Sequence, residues 1–236
     1  MRTRRELLAA TGAVGAALLA GCGGTSESGA SGSDSGGDTP SNLTHVDVTT
    51  PVDDASVDSM PTPVRGDPNA DVTLRVFEDY ACPHCAHYAT EIAPRVVENY
   101  AAPGEIRYEH HDFPIPVSEE WSWAGANAAR AVQDGAGDEA FFEYTHLLFE
   151  NQSAYVGAGE TGYDVLATYA ERVGADPVEA VRAAKGGTYD EVLKANRQAG
   201  IDDGVQGTPT VFVNGEKLDS FGYDAISSAL DDALSG

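Results

Sequence analysis

The chain has 236 residues, 42% of them hydrophobic, enough for one sizeable packed domain. Its 38 acidic residues against 14 basic ones leave a net charge of -24, which repels phosphate backbones and anionic head groups and excludes nucleic acid as a partner. The three cysteines, Cys22, Cys82 and Cys85, are too few for a disulfide scaffold. The acid excess points to a high-salt habitat, where self-repulsion is screened over roughly 3 Å at 1 M salt.

Residues 1–21 read as an export signal. Arg2, Arg4 and Arg5 make a basic start, and an apolar run from Leu7 to Ala20 follows, shorter than the roughly 20 residues of a spanning helix. Thr3-Arg4-Arg5-Glu6-Leu7-Leu8 resembles a twin-arginine export signal. Leu19-Ala20-Gly21-Cys22 resembles a lipobox, in which the cysteine becomes the lipidated first residue after cleavage. An uncleaved N-terminal anchor is the alternative. Both readings tether the protein to a membrane with its body outside. Residues 22–60 are rich in Gly, Ser, Thr and Asp and lack periodicity, which predicts a disordered tether with a root-mean-square span on the order of 35 Å. His45 reads as an incidental residue of that tether.

The domain is expected over 61–236. Residues 72 to 78, rich in β-formers, predict a strand. Cys82 follows, with Pro83 where a helix begins, a position proline tolerates well. The helix is predicted to run to about Tyr100, with a kink at Pro94 because proline lacks an N–H and clashes with the preceding turn. After the turn at Pro103-Gly104, residues 105 to 111 predict a second strand, parallel to the first by the crossover rule. A helical block covers 118 to 200, with Asp176 as an N-cap ahead of Pro177. Strand returns at Thr210-Val211-Phe212-Val213. Asn214-Gly215 marks a hairpin turn, and a last helix spans about Tyr223 to Leu234. This order predicts an α/β fold with a helical subdomain inserted at about 116–200.

Cys82 and Cys85 can close a disulfide with little backbone motion. A bridge across so short a loop restricts the unfolded chain little, which makes the pair reactive rather than structural. The first thiol lies at a helix N-terminus, where unpaired N–H groups and the dipole stabilise a thiolate. The second lies one turn in. Cys82 is therefore expected to exchange with substrate and Cys85 to resolve the mixed disulfide. A His84 imidazolium would favour the Cys82 thiolate further and make the oxidised form a stronger oxidant. The competing chemistry is a zinc or copper site. Structural zinc wants four ligands, no second CxxC is present, and His110 and His111 point to opposite strand faces. His87 reads as a helix-surface residue, His146 as a packed or surface one, and Trp121 and Trp123 as packing residues.

Residues 64 to 234 resemble the DsbA-like branch of the thioredoxin superfamily. The resemblance rests on Gly66-Asp67-Pro68-Asn69-Ala70, on Phe77-Glu78-Asp79-Tyr80-Ala81-Cys82-Pro83-His84-Cys85, on Asp112-Phe113-Pro114-Ile115-Pro116, and on Gly204-Val205-Gln206-Gly207-Thr208-Pro209-Thr210 with Phe212-Val213-Asn214-Gly215. It implies a thioredoxin-like fold and a cis-proline at Pro209, which lets the Thr208 backbone position an extended substrate beside Cys82. Many relatives carry a buried acid six residues before the first cysteine, where this chain has Val76. Glu78, on the same strand face, is the candidate replacement as a proton relay, with an ordinary surface acid as the competing reading.

The resemblance and the export signal together imply a thiol-disulfide oxidoreductase, lipid-anchored at Cys22 on the outer face of the cell membrane. Its expected partners are exported proteins with thiols and a membrane redox partner that recycles it. The redox-active Cys82–Cys85 disulfide is the expected reactive group, with no cofactor and no metal. The rival readings are a disulfide isomerase or a reductase of one partner, a copper-binding lipoprotein, and a binding module with vestigial cysteines.

Overall fold

The computed structural model describes residues 40–48 and 56–236. Five strands, β1 (Val64–Gly66), β2 (Val72–Glu78), β3 (Ile106–Asp112), β4 (Thr210–Val213) and β5 (Glu216–Lys217), form one sheet in the order β1-β3-β2-β4-β5. β2 and β3 are parallel, as expected for a β-α-β unit, and the other neighbours are antiparallel. The sequence gives no sign of β1. Three residues carry no periodicity, and this strand is defined by its pairing with the edge of β3, Val64 opposite Glu109.

Strand alternation sorts the core. Val72, Leu74 and Val76 of β2 face the main apolar cluster, together with Ile106 and Tyr108 of β3. Phe77 faces the other way, against Phe113, Val205 and Phe212. The crossover begins as α1 (Pro83–His87) and passes through a π-helical turn at Tyr88–Ile92 into α2 (Ala93–Val96). A second π turn covers Val97–Ala101. The kink expected at Pro94 is met by this widening: the Ala93 N–H reaches back five residues to the Tyr88 carbonyl immediately ahead of the proline.

The inserted subdomain comprises α3 (Glu119–Glu150), α4 (Gln152–Tyr155), α5 (Glu160–Arg172), α6 (Pro177–Gly186) and α7 (Asp190–Asp202). α3 is interrupted at Gly137, whose φ of 85° and ψ of -179° suit a residue without a Cβ. Asp176 caps α6 as expected, accepting the Val178 N–H at 2.8 Å. Trp121 is buried against Tyr155 and Tyr163, and Trp123 packs half-buried on the same core. Asn214 and Gly215 both have positive φ, the requirement of a tight hairpin turn. α8 (Tyr223–Ser235) buries Ile226 and Leu230.

The expected export signal and Cys22 lie outside the described residues. The tether expected over 22–60 needs correcting, because residues 40–48 lie on α5. The Thr44 N–H donates to Thr168 Oγ1 at 2.8 Å, and His45 Nδ1 pairs with Asp164 Oδ1 at 2.9 Å. His45 is thus a contact residue rather than an incidental one. Val57 also hydrogen-bonds to the domain, through the Thr188 carbonyl. Among the described residues no helix is long and apolar enough to cross a membrane.

Candidate active site

β2 ends at Glu78, and the loop Asp79-Tyr80-Ala81 delivers Cys82 to the N-cap of α1. Pro83 occupies the first turn, where a missing N–H has no intrahelical partner to lose. The Cys82 backbone is extended, and its carbonyl accepts from Cys85 N and Ala86 N, each at 3.1 Å. The turn therefore places the two sulfurs on the same end of the helix. Both cysteines are free thiols.

Their environments are opposite. The Cys82 thiol is brought down to about 5, first by its hydrogen bond with Cys85, against the opposing effect of burial, then by Thr208 and the backbone N–H groups of Cys85 and His84. At neutral pH the Cys82 side chain is therefore mainly thiolate. Cys85 is fully buried, and its thiol is pushed up by burial, by its bond to Cys82, and by the Glu78 charge. The His84 side chain is exposed, and its backbone N–H is among the groups that favour the Cys82 thiolate. His87 and His146 lie exposed on their helices. Among the described residues no three His, Cys, Asp or Glu side chains converge as a metal site.

The second half of the site comes from the segment ahead of β4. The Thr208-Pro209 peptide bond is cis, and the Thr208 carbonyl stands 3.5 Å from Cys82 Sγ. The buried Thr208 hydroxyl has no hydrogen-bond partner. Sequence separations of 126 and 127 residues are closed here by the antiparallel pairing of β2 with β4, Phe77 opposite Thr210.

Three residues that the sequence does not single out hold the loop. Asp79, 1% exposed, accepts from Ala81 N at 2.7 Å, from Ile115 N at 2.7 Å and from the Ser122 hydroxyl at 3.0 Å. It thereby ties the cysteine loop to both the entry and the first helix of the insert. Gln152 Nε2 donates to the Tyr80 and Cys82 carbonyls at 2.9 and 3.0 Å, and the Tyr155 hydroxyl donates to the Tyr80 carbonyl at 2.5 Å. Only tertiary packing of α4 reveals the last two. For Asp79 a signal existed: a carboxylate three residues before Cys82, in a short loop with free N–H groups to satisfy.

Glu78 is 3% exposed, which overturns the surface-acid reading. Its carboxyl is raised by burial, against the lowering effect of His110. The β2–β3 register sets Glu78 beside Asp112 and Val76 beside His110. His110 Nδ1 lies 3.2 Å from Glu78 Oε2, and Arg130 Nε donates to Asp112 Oδ2 at 2.7 Å. Val76 itself is buried and apolar, and Glu78 lies two residues further along the same strand face.

A dithiol at a helix N-terminus, close to a cis-proline that leads into a neighbouring strand of a mixed sheet, defines a thioredoxin-like domain. The family model for thioredoxin matches residues 58–232, and the chain belongs to the thioredoxin family. Among curated relatives, an Na(+)/H(+) antiporter NhaA 1 of Salinispora arenicola is 33% identical over 176 residues, 73% of this chain and 25% of that protein. A Rickettsia felis protein named provisionally as a protein-disulfide oxidoreductase is 26% identical over 191 residues, 80% of this chain and 64% of that protein. The chain therefore spans less than two thirds of the length of either. Among solved structures, BdbD from Bacillus subtilis superposes with a TM-score of 0.68 at 22% identity, covering 74% of this chain and 94% of that one. Chlamydia trachomatis DsbA gives 0.65 at 21% identity, covering 76% and 95%. These likenesses bear out the thioredoxin-like fold with its helical insertion.

Proposed function

We propose that this protein is an extracytoplasmic thiol-disulfide oxidoreductase, lipid-anchored at Cys22, that oxidises dithiols of exported proteins. The observation that carries the reading is the opposed acidity of the two thiols, Cys82 down to about 5 and Cys85 raised. Stabilising a thiolate acts on the reduced form alone, so it drives the pair toward accepting electrons. The likeness in fold to BdbD and to DsbA supports the reading.

In the oxidative direction a substrate thiolate attacks Cys82 Sγ, the Cys82–Cys85 bond breaks, and Cys85 leaves with the electron pair and takes a proton. A second substrate thiolate then attacks the substrate sulfur of the mixed disulfide. Cys82 leaves as a stable thiolate, and the substrate carries the new disulfide. Thr208-Pro209 lines the side of Cys82 where the substrate chain passes, and Glu78 supplies or accepts the Cys85 proton. A membrane redox partner with a disulfide of its own reoxidises the pair. The test is the reduction potential against a glutathione buffer. A value nearer the about -120 mV of a strong oxidant is expected, and one near about -270 mV overturns the oxidase reading in favour of a reductase.

A further inference from the structure

The buried polar group behind the cysteines is larger than one carboxylate. Glu78, His110, Asp112 and Arg130 are all between 0% and 3% exposed. His110 stands between the two acids, with Nδ1 3.2 Å from Glu78 Oε2 and Nε2 3.4 Å from Asp112 Oδ1. Arg130 closes the far end on Asp112, and Gln133 Oε1 accepts from Arg130 Nη1 at 2.9 Å. A buried charge survives only when it is compensated. Asp112 against Arg130 balances without further help, which leaves one exchangeable proton to be shared by Glu78 and His110.

Two further observations show where that proton can go. Glu78 Oε1 is buried without a hydrogen-bond partner, and His110 Nε2 and Asp112 Oδ1 meet only as a long ion-pair contact that is not a hydrogen bond, so the row has free acceptor and donor capacity. A cavity of about 370 Å³ is lined by Glu78, His110, Tyr108, Arg65, Glu98 and His146 among others. Glu98 and His146 are exposed at its rim, and none of Cys82, Cys85, Thr208 or Pro209 lines it. The space is large enough for several waters, and its polar walls at Glu78, His110, Arg65, Glu98, Glu143 and His146 offer them partners.

Resting on the reading that Glu78 exchanges the Cys85 proton, we propose that His110 is the positioning residue of that exchange: it stores the proton, Asp112 and Arg130 fix its ring, and water in the cavity connects it to solvent. Protons then enter and leave behind the cysteines while the substrate occupies the front. When Cys85 leaves as thiolate, Glu78 gives it a proton, His110 gives one to Glu78, and the cavity restores His110. During recycling the direction reverses: Cys85 loses its proton to Glu78 as its sulfur attacks Cys82 in the mixed disulfide with the external disulfide, whose leaving sulfur takes the electron pair.

The surroundings agree with this. Burial alone would push the His110 imidazolium down, yet the contacts with Asp112 and Glu78 outweigh it and raise it. Arg130 and His110 hold Asp112 at about 2 despite its burial. Tyr80, Tyr88 and Tyr108 crowd the row, but burial raises all three phenols, which keeps them protonated. From the cavity side, Arg65 of β1 and Glu143 and His146 of α3 face the row, with Glu98 beyond the helix.

The experiment compares wild type, Glu78→Gln and His110→Gln for the rate at which Cys85 resolves a preformed mixed disulfide between pH 5 and 9. Both variants are expected to slow it at least about tenfold at neutral pH, a floor below the roughly 10²–10⁴-fold typical of general acid–base catalysis. His110→Gln is also expected to shift the pH profile while leaving the Cys82 thiolate absorbance titration in place. A merely structural role would move that titration instead, and overturns the inference. A slow Glu78→Gln beside a His110→Gln of wild-type profile ends the relay at Glu78: the inference fails and the reading of Glu78 stands. If neither is slow, both fall. Should His110→Gln not fold, ¹⁵N NMR of the wild-type ring decides. A change in His110 protonation between reduced and oxidised protein is expected, and a neutral ring unchanged from pH 5 to 8 in both states overturns the inference.

Discussion

Cys82 and Cys85 are three positions apart and chemically alike, yet one backbone turn makes them opposites. Cys82 sits where N–H groups converge, and Cys85 sits inside, where burial and the Glu78 charge raise its thiol. A measurable pH dependence follows. The folded reduced protein has lost the Cys82 proton above about 5, while an unfolded thiol keeps it until about 9. Stability of the reduced form therefore rises through that window and is lost as pH falls through about 5. The oxidised form has no such group. The difference in melting temperature, reduced minus oxidised, is expected to grow from pH 5 to pH 9, as scanning calorimetry would record. A flat difference would mean that Cys82 titrates as an ordinary thiol. Cys85 opposes the trend only above pH 9, because its thiol is raised.

The insert is more than a cover for the sheet. α3 passes so close to the cysteine loop that a Cβ on Gly125 would lie 2.8 Å from Tyr80 Cβ. The Tyr80 ring in turn stacks on Phe149 with centroids 5.1 Å apart, and α4 holds its carbonyl through Gln152 and Tyr155. Gly125→Ala is expected to cost about 1–3 kcal/mol by overpacking, read as a lower denaturation midpoint. Because Tyr80 lies two residues before Cys82, the same substitution is expected to raise the Cys82 pKa measured by thiolate absorbance. An unperturbed variant would show that α3 can shift away without cost.

Over the whole chain the acids outnumber the bases by 38 to 14. Several of the basic residues are spent on particular partners: Arg130 on Asp112, Arg75 on Asp203 at 2.7 Å and Lys185 on Glu160 at 2.6 Å. The rest of the surface repels itself, over a Debye length of about 10 Å at 0.1 M salt and about 3 Å at 1 M. The melting temperature is expected to rise as sodium chloride increases from 0.1 to 2 M, and a fall over that range would contradict a charge-limited stability.

Strand periodicity, the Asp176 cap, the Asn214-Gly215 turn and the Cys82-Pro83-His84-Cys85 helix start were all legible from residue order. Each rests on local chemistry: alternation, a side chain reaching its own backbone, a positive φ, a proline in a first turn. The family motifs added Pro209 as the second half of the site. Local order could not show that Glu78 is buried, that His110 and Asp112 stand beside it, or that Arg130 closes the row. Those facts depend on the parallel register of β2 on β3 and on where α3 docks, which are long-range choices. The same limit explains β1, the docking of residues 40–48 on α5, and the role of Gln152. The chain's linear pattern specified a reactive dithiol on a thioredoxin sheet. The fold in three dimensions decided its electrostatics, because a pKa follows from what surrounds a group and a sequence lists only what precedes and follows it.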